Sequence, residues 1–312
     1  MIAGPTASGK SALALALAER TGSIIINADA MQCYADWRIV TARPSPAEEA
    51  RAPHRLYGVR RLEERVDAAW WCGAARAELG LAAAAARAPI LCGGTGLYLK
   101  ALIHGLAPIP DPGAAARATA RQMLAERGPE ALHAWLAARD PGTAAKLRPR
   151  DSQRIARAVE VWLGTGIGLA AWHERQGEAL RGWRASAILF DPPRENLRQA
   201  IADRFDAMLA AGALDEVRAV LAGNPAPSLP GLRAHGVPEL LAHLRGEITL
   251  EAARDRAVAA TIAYVKRQRT WFRHQPIAAP TDTRRITTRI RDPGEVPPDL
   301  LDDLASPPVV AS

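Results

Sequence analysis

The chain has 312 residues, with 40 Lys and Arg against 33 Asp and Glu for a formal net charge of +7; this size admits one large α/β unit or two domains, and the basic excess favours a polyanionic partner such as RNA. Its three cysteines, Cys33, Cys72 and Cys92, are odd in number, widely spaced and without a CxxC pair, which argues against a disulfide framework or a zinc site. No uncharged apolar run reaches about 18 residues and the N-terminus carries no leader-like pattern, so a monomeric, soluble protein of the reducing cytoplasm with no membrane partner is expected.

In chain order, GPTASGKS at residues 4 to 11 fits GxxxxGK followed by Ser or Thr, just ahead of the apolar positions Leu13, Leu15, Ala16 and Leu17. Such a loop binds a di- or triphosphate: backbone N–H groups from Gly4 through Thr6, Ala7, Ser8 and Gly9 wrap the anion, Lys10 supplies a point charge, and the Ser11 hydroxyl can hold Mg²⁺. Only Met1, Ile2 and Ala3 precede it, short of the usual strand of about 5–6 residues, which predicts a start further upstream. Ser23 to Asn27 (SIIIN) reads as a strand ending at Ala28 and Asp29, and Ala68 to Arg87 as an Ala-rich helix. Pro89 to Cys92 (PILC) is a second strand, ending at GGTG, residues 93 to 96. In a parallel sheet both strands deliver their last residues to the edge where the phosphate loop lies, so Asp29 and Thr95 should meet over Lys10.

The three prolines of LAPIPDPG, residues 106 to 113, open a helical stretch with helices expected over 114–125, 129–138, 152–163 and 169–175 and a DPG turn at 140–142. Strand character returns at Ala187 to Phe190. A helix over 195–211 is stopped by Gly212, and two more follow over 237–244 and 249–273. The expected fold is therefore α/β, a P-loop parallel-sheet core with an inserted all-helical subdomain. Residues 1–107 form the first part of the core, 108–182 the helical insertion, 183–275 the second part of the core, and 276–312 a Pro-, Thr- and Asp-rich tail expected to be loosely ordered.

Several residue types could carry chemistry. Asp29 can position Mg²⁺, accept a proton from a nucleophile, or cap the next helix. Gln32 offers an amide to a base edge and Tyr34 a ring for stacking, the alternative being helix-surface polarity and core filling. Thr95 can donate to a bridging oxygen or a base, or simply N-cap a helix beginning near Gly96. Arg150, Gln153, Arg154 and Arg157 share one helix face opposite Ile155, Val159 and Trp162, a basic face suited to pyrophosphate or RNA phosphates if it is not merely solvated. Arg117 and Arg121 form a smaller pair. In YVKRQRTWFRHQ, residues 264 to 275, Lys266, Arg267, Arg269 and Arg273 are the expected contacts, while Trp271 and Phe272 read as core.

Taken together, GPTASGKS, NADAMQCY (27–34), TARP (41–44), PILCGGTGLYLKAL (89–102), DSQRIARAVEV (151–161), RFDAMLAAGALDEV (204–217), LRGEITLEAA (244–253) and YVKRQRTWFR (264–273) resemble the tRNA dimethylallyltransferase family. Its members transfer an isopentenyl-type group to N6 of adenosine 37, beside the anticodon. The resemblance implies that Asp29 engages N6 and takes its proton, with Thr95 and Lys10 beside it. The diphosphate of dimethylallyl diphosphate would lie on Gly4 and Thr6 through Ser11, with Mg²⁺ at Ser11. Contacts to tRNA are implied for Asp29, Ala30, Met31, Gln32, Thr95, Arg117, Gln153, Arg154, Ile155, Ala156 and Arg157, the insertion embracing the anticodon stem-loop. Without a zinc-finger-like C-terminal extension, the chain is similar to the bacterial form. It departs from the family at Ala30, usually serine; at RIVTARP (38–44), usually DIGTAKP; at PHRL (53–56), usually PHHL; and at GVPE (236–239), often GYRE. These departures imply rearranged RNA contacts rather than lost activity. A P-loop small-molecule kinase is the enzyme alternative, weakened because PILC ends in Gly-Gly rather than a metal-holding acid. A non-catalytic RNA-binding protein is the other, and leaves Lys10, Ser11, Asp29 and Thr95 without a shared purpose.

Overall fold

The computed structural model describes residues 1–175 and 177–305. Its sheet-bearing unit comprises Met1–Ile103 and the described residues from Gly182 onward; a second unit spans His104–Arg181. Six parallel strands lie in the order β3-β2-β4-β1-β5-β6: β1 Ile2–Ala3, β2 Ile24–Asn27, β3 His54–Arg55, β4 Pro89–Gly93, β5 Ala187–Phe190 and β6 Thr283–Ile286. The helices are α1 Lys10–Thr21, α2 Pro46–Arg51, α3 Ala68–Ala84, α4 Gly96–His104, α5 Gly113–Ala137, α6 Pro141–Ala144, α7 Ser152–Thr165, α8 Leu169–His173, α9 Arg194–Ala210, α10 Ala213–Ala222, α11 Val237–Leu244, α12 Leu250–His274 and α13 Pro298–Ala305. Among the described residues no helix is long and apolar enough to cross a membrane.

The strands β2, β4 and β5 are almost wholly apolar because both their faces are covered. Ile2, Leu13, Leu15, Leu17, Ile25, Ile90, Ile188 and Phe190 form the core between the sheet and α1. A second core lies around Tyr34, Trp37, Phe205, Val217, Val237 and Leu240. Although β1 has two residues, it pairs on both sides, Ile2 opposite Cys92 of β4 and Ile188 of β5.

Two strands were not anticipated. His54–Arg55 is too short to show a pattern. Residues 276 to 305, expected to be loose, instead carry β6, which pairs along its length with β5 from Ala187 opposite Thr283 to Phe190 opposite Ile286. This edge strand reads TRRI, with its arginines exposed; it is held by backbone hydrogen bonds, which leave no hydrophobic signature. Beyond it Ile290 and Val296 are buried in the first core, where Leu300, Leu301 and Leu304 of α13 also pack. The last seven residues of the expected tail lie outside the described residues.

In the His104–Arg181 unit, α5 runs across both helices expected over 114–125 and 129–138, but Gly128 breaks it at φ 74 ahead of Pro129. Leu132, Leu136, Ile155, Ala158 and Val159 form this unit's core. The buried Asp140 of the DPG turn accepts from the N–H groups of Thr143 at 3.1 Å and Leu169 at 3.0 Å, fixing the starts of α6 and α8.

In the sheet-bearing unit, register aligns Asn27 of β2 with Cys92 of β4, and Ala3 of β1 with Gly93. The chain after each strand therefore emerges at one edge. Gly93 lies so close to β2 that a β-carbon there would sit 2.1 Å from the carbonyl carbon of Ala28. Replacing Gly93 with Ala should therefore cost stability by about 1–3 kcal/mol, measured by urea unfolding. Wild-type stability in that variant would show that the two strand ends are not held in this contact.

Candidate functional site

The loop after β1 is shaped by three residues at positive φ, Gly4 at 142°, Ala7 at 64° and Gly9 at 105°. They turn its backbone around an open centre. Gly9 precedes α1 and no side chain caps the helix, so its first N–H groups remain available to an anion. Ser8 is fully buried and its hydroxyl has no partner, an orphan that a bound oxyanion would satisfy. Lys10 Nζ donates to the Pro5 carbonyl at 2.6 Å. Burial pushes its ammonium down to about 8, although Asp29 works in the opposite direction.

After β2, the buried Asn27 organises the turn. Its amide donates to the carbonyls of Asp29 at 2.9 Å and Leu56 at 3.0 Å, while its oxygen accepts from the Asp29 N–H at 2.8 Å. One Asp29 carboxylate oxygen, Oδ1, accepts from the Met31 N–H at 3.0 Å; the other has no partner among the described residues. The loop after β4 locks onto this turn: Thr95 N–H donates to Ala28 O at 3.1 Å and Thr95 Oγ1 accepts from Ala30 N–H at 3.1 Å. Gln268 of α12, buried, ties both loops together, accepting from Thr6 N–H at 2.9 Å and donating to Gly94 O at 3.0 Å. Trp271 packs where a side chain on Gly96 would otherwise lie.

Two cavities meet here. One, of about 510 Å³, is lined by Thr6 through Ala12, Asp29, Asp203, Arg204 and Arg289 to Pro293. The other, of about 370 Å³, is lined by Met31, Val40, Thr95, Ile201, Phe205, Met208, His235 and Tyr264. Thr6, Asp29, Thr41 and Arg204 line both. The first is a polar pocket lined by charges of both signs and by the loop after β1, and the second an apolar and aromatic one. Arg204 Nη2 donates to Thr41 O at 3.3 Å, and burial lowers its guanidinium while Asp29 supports its charge.

Arg204 was overlooked in the sequence although RFDAML was noted. Its signal was legible: with Leu197, Ile201 and Met208 it falls on one stripe of α9, a cation among apolar neighbours. Gln268 likewise stands in the buried stripe Ala257, Thr261, Val265, Phe272 of α12. His235 and Tyr264, with ring centroids 4.4 Å apart, carried no comparable mark.

Lys10, Ser11, Asp29 and Thr95 are thus gathered in one unit, as are Ala30 and Met31. Gln32 and Tyr34 are engaged within the protein. Gln32 spends its amide donors on the carbonyls of Thr41 at 3.0 Å and Ala42 at 2.9 Å, and Tyr34 is fully buried. Arg117, Gln153, Arg154, Ile155, Ala156 and Arg157 belong to the other unit. Ile155 is fully buried in that unit's core, which removes its side chain from any RNA contact, while Gln153 and Arg154 are exposed. Arg157 pairs with Glu160, Arg117 with Asp111, and Arg150 with Glu130 at 2.6 Å. The departing residue Arg38 finds Pro44 O at 2.6 Å and Glu49 at 3.3 Å.

No group of three or more His, Cys, Asp or Glu among the described residues could by itself hold a metal ion. Magnesium, however, takes few protein oxygens and completes its shell with phosphate oxygens and water. The exposed Ser11 hydroxyl on the first cavity, with the orphaned Ser8 nearby, fits that mode of binding.

A family model described as IPP transferase matches residues 32–275. A tRNA dimethylallyltransferase of Acidiphilium cryptum is 69% identical over 292 residues, 94% of this chain and 89% of the relative. Its counterpart in Granulibacter bethesdensis is 58% identical over 289 residues, 93% of this chain and 91% of the relative. Among solved structures, the tRNA isopentenylpyrophosphate transferase of Bacillus halodurans superposes with a TM-score of 0.65 at 28% identity, covering 97% of this chain and 93% of that one. A eukaryotic dimethylallyltransferase acting on tRNA gives a TM-score of 0.71 at 25% identity, covering 87% and 68%.

Proposed function

The chain belongs to the IPP transferase family, as a bacterial-type member, and from that premise we propose how its two joined cavities divide one reaction between them. The protein transfers a dimethylallyl group from dimethylallyl diphosphate to an adenosine of tRNA. In our reading the acceptor is N6 of adenosine 37, the core is a P-loop core, and the loop Gly4 to Ser11 is the diphosphate cradle. The observation that carries this reading is the pair Asp29 and Arg204 at the junction of a polar, phosphate-loop pocket and an apolar one.

Adenine N6 is a weak nucleophile because its lone pair is delocalised into the ring, so the electrophile must be made strong. Allylic carbon can develop positive charge as the C–O bond breaks and the electron pair leaves with diphosphate. Lys10, Arg204 and the N–H groups at the start of α1 receive that negative charge. Magnesium bound at Ser11 and the diphosphate would supply further charge neutralisation to the leaving group. Ile201, Phe205 and Met208 offer apolar surface to the prenyl chain and exclude water from the cation. His235 and Tyr264 present ring faces to a base taken out of the anticodon stack. As N6 bonds to carbon, the unpartnered oxygen of Asp29 accepts the N6 proton, and Thr95 fixes the turn that aims it. The helical unit, with Gln153 and Arg154 exposed, is the part we assign to the anticodon arm.

Asn in place of Asp29 keeps a carbonyl acceptor but loses basicity. Asp29→Asn should therefore lower kcat by roughly 100-fold or more with KM for tRNA little changed, as single-turnover and steady-state assays would show. A normal kcat with weakened tRNA binding would instead make Asp29 a recognition residue.

The ammonium of Lys10 must be charged to hold diphosphate, and in the free site it titrates near 8. As pH rises through that value the cationic fraction falls. The kcat/KM for dimethylallyl diphosphate should accordingly decline above about pH 8, and this limb should vanish in Lys10→Ala, whose activity is low throughout. The same decline in Lys10→Ala would assign it to another group.

A further inference from the structure

The family model ends at residue 275, yet the first cavity is partly walled by Arg289 to Pro293. This segment is anchored on both sides. Before it, β6 pairs with β5 and the Ile286 carbonyl accepts from Asp191 N–H at 2.9 Å. Within and after it, Ile290 and Val296 are buried in the core beside α1, and Asp302 of α13 pairs with Arg20 of α1 at 2.6 Å. The contact with the β1–α1 loop is intimate: a β-carbon on Gly9 would lie 2.2 Å from the Ile290 carbonyl oxygen. Arg289 Nε donates to the carbonyl of Ala7, the loop's left-handed non-glycine residue, at 2.9 Å.

Four cations line this cavity, Lys10, Arg204, Arg289 and Arg291, and the first three each donate to a backbone carbonyl: Lys10 to Pro5, Arg204 to Thr41, Arg289 to Ala7. None of the three is in an ion pair among the described residues. Four carboxylates line the same cavity, each accepting a local hydrogen bond: Glu48 in the capping box of α2, Asp292 from the Gly294 N–H, Asp203 from the Gln199 amide and Asp29 from the Met31 N–H. Arg289 lies close enough to Arg204 to disfavour the charge of Arg204, behind the larger effect of burial. Three cations outside any ion pair, set beside the unpartnered buried hydroxyl of Ser8, form a site for a polyanion.

We propose that Arg289 is the third cation of the diphosphate site. Its Nε holds the loop open through Ala7 while its terminal nitrogens grip the diphosphate, so the segment after β6 completes the donor pocket. This rests on the reading of the Gly4 to Ser11 loop as the diphosphate cradle.

The test is calorimetric binding of inorganic diphosphate in magnesium buffer, with steady-state kinetics, for wild type, Lys10→Ala, Arg289→Ala and Arg289→Lys. Arg289→Ala should weaken diphosphate binding by about 10-fold or more and raise KM for dimethylallyl diphosphate comparably, with KM for tRNA unchanged. Arg289→Lys, which keeps charge but not the fork, should lose about 3- to 10-fold. A purely structural role would shift both KM values together and overturn the proposal. If Lys10→Ala loses diphosphate but Arg289→Ala binds it like wild type, the cradle stands and Arg289 has no part in it. If wild-type protein fails to bind diphosphate, or Lys10→Ala binds it normally, the cradle reading fails and the proposal with it. Should Arg289→Ala not fold, Arg289→Lys decides: wild-type affinity in that variant overturns the assignment.

Discussion

The close approach of two strand ends, Gly93 of β4 against Ala28, the residue after β2, is the constraint from which the site follows. Only a residue without a side chain permits it, and it brings the Thr95 N–H to Ala28 O and the Ala30 N–H to Thr95 Oγ1. The turn that carries Asp29 is thereby held at its backbone, by the Thr95 loop and by the buried Asn27 amide. Gln268 extends the same rigidity to the β1–α1 loop, and because its amide is buried, leaving Thr6 N–H and Gly94 O unpaired would cost about 1–3 kcal/mol each. Three loops distant in sequence behave as one surface because they share these bonds.

The charge arrangement complements that rigidity. Burial holds Lys10 near 8 and lowers Arg204, so both are poised to gain from a dianionic ligand that restores their charge. The neighbouring cavity is lined by Ile201, Phe205 and Met208, with His235 and Tyr264. Its apolar wall suits an electrophile that water would otherwise consume. Asp29 and Arg204 line both spaces at their junction, where the proposed reaction makes opposite demands: a cation to receive the leaving group and a base to receive a proton.

Much of this was legible in the sequence, for identifiable reasons. A phosphate-type loop, two β-branched strands and a Gly-Gly turn report themselves through local pattern, and parallel-sheet geometry then brings Lys10, Asp29 and Thr95 together. What escaped was what local pattern does not encode. Strand β6 reads TRRI and is held by backbone pairing at a sheet edge, so residues 276 to 305 resembled a loose tail by composition. Gln32 carried the right chemistry for a base edge, but its donors serve the Thr41 and Ala42 carbonyls. Ile155 is different: it fell within a contact stretch by resemblance, although helical spacing already set it on the apolar face that is buried. Arg204 and Gln268 were readable as polar interruptions of apolar stripes, a signal that needs the stripe's partner before it points to a site.

In the proposed mechanism one reaction spans both cavities, with the bond-breaking carbon at Asp29 and Arg204. A crystal structure with an anticodon stem-loop and a donor analogue, its bridging oxygen replaced by sulfur, tests this most directly. The account predicts diphosphate oxygens on the N–H groups of Gly9 to Ser11 and on Lys10, the prenyl chain against Phe205 and Met208, and N6 of the flipped adenine within hydrogen-bond distance of Asp29. Diphosphate bound away from the β1–α1 loop, or an adenine whose N6 faces a group other than Asp29, would contradict it.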